Sequence, residues 1–161
     1  RSLLFRSIVS IRTESIKTAN IKTESGIMKM HALRLRPNSD LRGSLEDILE
    51  ARQIQAAALV SCVGSLQLAR LRLAAAEQQE FTGPFEIVSA EGTLSSNGCH
   101  IHLAIADGKG KVIGGHLCHG SLVLTTAELV LVELPGHIFH RELDSETGYK
   151  ELSIKADDKA R

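Results

Sequence analysis

Apolar and polar residues alternate along most of this chain with the two-residue period of a strand, and one stretch follows a helical stripe. Over residues 30–36, His31, Leu33 and Leu35 alternate with neighbours that include Arg34 and Arg36, and Pro37 stops the run. Leu41, Leu45, Ile48 and Leu49 then recur at helical spacing, with Glu46, Asp47 and Glu50 on the wet face. Ser39 or Asp40 can cap this helix, which runs to about Gln53. Residues 56–63 are a continuous small-apolar run closed by Gly64, as in a buried strand. Residues 66–74 alternate Leu68 and Leu73 with Arg70 and Arg72, with Leu71 out of phase, which predicts an edge or surface strand. Residues 85–94 predict a strand interrupted by Gly92, and the β-branched run 121–134 a long one. Residues 138–142 and 150–154 predict a hairpin across Asp144-Ser145-Glu146-Thr147-Gly148.

The elements sum to an α/β (α+β) chain dominated by antiparallel strands. One helix cannot cover the apolar surface of so many strands, so self-association is the expected cover for the second face. At 161 residues the chain reads as one domain over residues 28–155 with a charged tail at 156–161. Residues 1–27 look different. Ile11, Ile16 and Ile21 each open a five-residue unit, a period that matches neither helix nor strand. Residues 1–12 are rich in Arg and Ser without acids, as organelle transit peptides are. With Met28 and Met30 as natural starts, residues 1–27 read as a disordered or artefactual extension.

Charge removes one class of function from the front rank. Nineteen basic and nineteen acidic side chains cancel, so the chain has no net attraction for phosphate backbones. With no Trp, one Tyr and four Phe it also lacks the aromatic platforms of single-strand binders. Cys62, Cys99 and Cys118 form no CxxC pair and sit in apolar runs, which points to buried, inert thiols in a reducing compartment. No apolar run approaches the ~18 residues of a membrane helix. There is no nucleophile elbow, phosphate loop or dinucleotide fingerprint.

Candidate chemistry concentrates in one hairpin. Cys99-His100-Ile101-His102 enters it, Asp107-Gly108-Lys109-Gly110 turns it, and Gly114-Gly115-His116 leaves it. His100 and His102, two apart, face the same side of a strand. If Ala106 pairs with Val112, His102 lies opposite His116, and cross-strand Cβ atoms are about 4.5–5.5 Å apart, within reach of one metal ion. A one-residue slip would turn His116 away. The three imidazoles can hold zinc with a fourth position open, or hydrogen-bond to each other and to solvent. Gly114 and Gly115 allow a backbone or ligand to approach, or mark a bulge. Glu128 is a candidate to orient a ligating imidazole or to act as a general base. His119 has the opposite parity to His116; His137 and His140 read as surface or interface residues, and His31 as exposed.

The ordered set of fragments resembles a known family. Gly83-Pro84-Phe85-Glu86-Ile87-Val88, His100-Ile101-His102, Gly114-Gly115-His116-Leu117 and Thr125-Thr126-Ala127-Glu128 together look like the plants-and-prokaryotes-conserved (PPC) domain over about residues 30–154. The resemblance implies an antiparallel sheet with flanking helices, assembled as a homotrimer. It implies a role in self-association and in contacts with transcription factors, and a label of DNA binding on stand-alone members. It also implies zinc on histidines like His100, His102 and His116. Two departures matter. The Arg-Gly-Arg-Pro minor-groove arm of the plant proteins is absent. Their partner-contact motif carries an Arg where this chain has Pro84, while Gly83, Phe85, Glu86 and Ile87 remain. The expectation is therefore a trimeric regulatory, DNA-associated or protein-interaction module with a three-histidine zinc site. The alternative is a metal-dependent enzyme or small-ligand sensor using the same histidines.

Overall fold

The computed structural model describes residues 13–23 and 26–157. Seven strands form one antiparallel sheet. β1 (Thr13–Thr23) pairs with β2 (Gly26–Leu35), β2 with β7 (Leu122–Glu133), and β7 with β3 (Ala57–Arg72). From β3 the sheet continues to β4 (Gln78–Leu94), β5 (His100–Asp107) and β6 (Val112–Leu117). β6 then returns to β3, pairing Leu71 with Leu117 and Arg72 with His116, so β3, β4, β5 and β6 close into a ring. Closure covers the β6 edge and gives the apolar faces a common interior. β8 (His137–Leu143) and β9 (Lys150–Ala156) form a separate hairpin.

The helix α1 (Leu41–Ala51) has local causes at both ends. Asp40 accepts from the backbone N–H groups of Arg42 and Gly43 through one carboxylate oxygen, and from Gly120 N–H at 2.6 Å through the other. It thus caps the helix and ties the β6–β7 turn to it. At the other end Gln53 takes φ 55°, Gln53 N–H donates to Glu50 O, and Ile54 N–H donates to Leu49 O. This is a Schellman ending, with buried Ile54 supplying its apolar contact. Leu41, Leu45, Ile48 and Leu49 are buried against the sheet, each stabilising by about 1.5–3 kcal/mol relative to exposure. α1 is the sole α-helix among the described residues, the one that the apolar stripe in the sequence marks.

Other differences follow from bulges. The runs 56–63 and 66–74 are one sixteen-residue strand, and it lies in the centre of the sheet rather than at an edge. Its register against β7 shifts at Leu59/Ser61, Gly64/Leu66 and Leu66/Leu68. A register shift changes which parity faces inward, so Leu66, Ala69 and Leu71 are all buried although their spacing breaks simple alternation. Gly64 is essential to this path: it has φ +152°, and a Cβ there would sit 2.0 Å from Thr126 O. At the N-terminus, a segment to which sequence reasoning assigned no element forms β1 from Thr13; backbone pairing to β2 needs no side-chain periodicity. The transit-like residues 1–12 lie outside the described residues.

His31 corrects the sequence reading outright. It is 3% exposed, on the inward parity of Leu33 and Leu35. Its Nδ1 lies 3.1 Å from Thr18 Oγ1 and its Nε2 3.1 Å from Glu133 Oε2, which satisfies a buried ring. Cys62 and Cys99 are buried, and burial pushes their thiols up to about 12 and about 11, whereas Cys118 is only half-buried. No helix among the described residues is long and apolar enough to cross a membrane.

Replacing Asp40 with Ala removes a cap and a cross-tie together. The expected loss is about 2 kcal/mol, with Asp40→Asn closer to wild type because it keeps an acceptor. Urea unfolding measures it as a lowered midpoint; equal midpoints for Asp40→Ala and wild type would refute the double role.

Candidate metal centre

The geometry at the histidines follows from a turn with strong local hydrogen bonding. Asp107 Oδ1 accepts from Lys109 N–H and Lys111 N–H, both at 2.9 Å, and Asp107 N–H donates to Lys111 O. This sets the register: Ala106 pairs with Val112, and His102 with His116, as the sequence argument required. Ile101, Leu103 and Ile105 fill the interior, so His100 and His102 project from the outer face of the ring.

Three imidazoles converge there. Each offers a nitrogen, and the chosen atoms lie within 4.8 Å of one another. His100 Nε2 and His116 Nδ1 are 3.0 Å apart with the rings stacked, while His102 meets both edge-on, centroids 5.0 and 4.6 Å away. Nitrogens on one tetrahedral zinc would be about 3.4 Å apart, so the set fits a cation after small side-chain adjustments. The electrostatics keep the lone pairs available. Burial, reinforced by the charges of Arg141 and His102, moves His100 below the ordinary histidine range. Burial and then Arg72 bring His116 down to about 4. Metal ligation needs the neutral ring, and these environments favour it.

Neighbours hold the strands in place. From α1, Arg42 donates to Leu117 O at 2.8 Å and to Cys99 O at 3.2 Å, and pairs with Glu46 at 2.9 Å. Leu117 follows His116 and Cys99 precedes His100, so one guanidinium clamps both histidine strands. Cys118 Sγ donates to His116 O. Gly115 explains the paired glycines: a Cβ there would lie 2.8 Å from Arg72 O, so only a bare backbone lets β6 approach β3.

Other sequence candidates separate from this cluster. Glu128 is exposed on β7 and pairs across to Arg34 and Val63, not to the histidine strands. The carboxylate beside His102 is Glu91, its cross-strand partner on β4. The register shift at Ile87/Ser89 puts Glu91 on that face, and alternation alone could not reveal it. Phe85 and Ile87 are buried, Gly83 is half-buried, and Glu86 is exposed. His119 sits 3.1 Å from Glu46, and His137 and His140 lie on β8.

Two hollows border the histidines. One of about 600 Å³ takes His100 and His116 into its wall, with Arg72 from β3 and Arg141, Tyr149 and Lys150 from the β8–β9 hairpin. The other, about 330 Å³, is lined by His102, His116 and Glu91. The hairpin is anchored by buried Phe139, by Arg141 N–H donating to Asn97 Oδ1, and by the Arg141 guanidinium donating to Thr93 Oγ1.

Comparison with known proteins places these features. A family model described as the Plants and Prokaryotes Conserved (PCC) domain matches residues 22–135. The chain is 42% identical over 131 residues to the bifunctional protein GlmU of a Synechococcus strain, a match covering 81% of this chain. It spans only 21% of that relative's length. A hypothetical protein from Salmonella enterica superimposes with TM-score 0.78 at 40% identity, over 80% of this chain and 94% of its own. A metal-containing protein from Archaeoglobus fulgidus gives TM-score 0.69 at 26% identity, over 87% and 99%.

Substituting Gly115 with Ala forces β6 off β3 and moves His116. The expected loss is about 1–3 kcal/mol, with shifted histidine ring resonances. Gly108→Ala, where an added Cβ meets nothing within 4 Å, is the control. Equal stability of the two variants would contradict the close approach.

Proposed function

The chain belongs to the Plants and Prokaryotes Conserved (PCC) domain family, and we propose that it acts there as a homotrimeric, zinc-binding module. The observation that carries this reading is the convergence of His100, His102 and His116, with ligand atoms within 4.8 Å, on the outer face of a rigid ring. His100, His102 and His116 would hold zinc as neutral imidazoles, and the metal would supply Lewis acidity there. The similarity to a protein described as metal-containing supports the same reading. His100, His102 and His116 bind; Arg42 positions His100 and His116 through the backbone; Glu91 stands beside His102, where it can orient the ring or take a proton.

Trimer formation is supported by an apolar stripe on the outer face. Val60 and Val63 on β3 and Val88 on β4 are 55%, 61% and 56% exposed. Covering such a stripe is the ordinary driving force for self-association. Any contact with DNA is weak or indirect, because the chain's zero net charge offers phosphates little attraction. In the segment 83–87 Pro84 and Glu86 keep exposed side chains for a partner. The hollows beside the histidines favour a second reading on the same site, a metal-dependent ligand sensor or enzyme.

Native mass spectrometry of the full chain with added zinc tests both parts. The expected species is a trimer with about one zinc per chain, and a His102→Ala trimer that retains none. A wild-type trimer that stays metal-free would remove the zinc site, and a monomer at micromolar concentration would remove the assembly.

A further inference from the structure

We propose that the larger hollow beside the histidines receives a small anionic ligand, a phosphate monoester or a carboxylate, gripped by Arg72 and Lys150. Its volume of about 600 Å³ is that of a metabolite site, too large for a lone ion. Its charge is lopsided in a chain that is neutral overall: Arg42, Arg72, Arg141 and Lys150 line it against the single carboxylate of Glu151.

The four cations are not equivalent. Arg42 is engaged by Glu46 and two backbone carbonyls. Arg141 binds Thr93 and holds the hairpin in place. Lys150 is exposed at the rim. Arg72 is half-buried, and no side-chain hydrogen bond or ion pair to it is found among the described residues. A guanidinium partly withdrawn from water without an anion is unfavourable, and its planar fork matches carboxylate and phosphate oxygens. Arg72 is the cross-strand partner of His116, so an anion on Arg72 also lies beside the imidazole cluster. Exposed Tyr149 at the same wall offers a surface for the ligand's apolar part.

The hairpin side of this hollow lies beyond the stretch that the family model matches. Arg141, Tyr149, Lys150 and Glu151 lie beyond residues 22–135, on the separate hairpin. The inference rests on the zinc reading for the ligand's second anchor, an open coordination position, whereas the cationic wall stands without metal.

Isothermal titration of the full chain, dialysed against chelator or loaded with zinc, uses phenyl phosphate, benzoate and neutral benzyl alcohol as probes. An anion is expected to bind and benzyl alcohol not to. Arg72→Gln is expected to weaken the anion about tenfold or more, with zinc content and circular dichroism unchanged. The tighter of the two anions identifies the ligand as phosphate ester or carboxylate. Zinc-loaded protein that binds neither anion, or an Arg72→Gln variant that binds as tightly as wild type, overturns the anion site while leaving the zinc site intact. Anion binding that depends on Arg72 in protein that takes up no zinc supports the anion site and removes the metal reading. A single-stranded oligonucleotide bound through Arg72 in place of both small anions also overturns it.

Discussion

The short pairing of β6 with β3 is the constraint on which the site depends. Leu71 with Leu117, Arg72 with His116 and a backbone bond from Cys118 N–H to Arg70 O make it, yet this short contact closes the ring. Its closeness requires Gly115, and its register fixes which face His116 occupies. The β5–β6 turn fixes the same quantity independently through Asp107. Two separate constraints therefore agree on one register. A slip by one residue would have to break both the turn and the closure, and would bury a polar ring among Leu103, Ile105 and Leu117.

Around that register the structure places opposing electrostatic effects. Burial, and after it Arg141 at His100 and Arg72 at His116, press these rings toward the neutral state, which frees nitrogens for a cation. The same positive charges disfavour the cation through space. An anion that neutralises the arginines relieves this conflict, so metal and ligand would stabilise each other. The arrangement costs little elsewhere, because Arg42 engages both flanking backbones and no buried side-chain nitrogen or oxygen lacks a partner among the described residues.

Much of this was readable along the chain, and the failures have physical causes. The helix stripe and its Asp40 cap are local, and so is the glycine-rich turn that pairs His102 with His116. Parity fails where a bulge intervenes: β3 looked like two strands, and Glu91 was hidden by the shift at Ile87/Ser89. Glu128 looked like a partner for the histidines because it is polar within an apolar strand, but it simply occupies the outward parity of β7. His31 shares its parity with Leu33 and Leu35, yet its burial depends on Glu133, a hundred residues away in sequence. Arg72 and Arg141 came from predicted strands, but only tertiary closure and the docked hairpin bring them to His116 and His100.

Zinc-edge X-ray absorption on the full chain loaded with one equivalent of zinc tests the central claim most directly, because it counts the ligands. The account predicts imidazole scattering from three rings at about 2.0 Å, completed by a light atom from water or a bound anion. A sulfur shell at about 2.3 Å, or imidazole scattering from fewer than three rings, would contradict it.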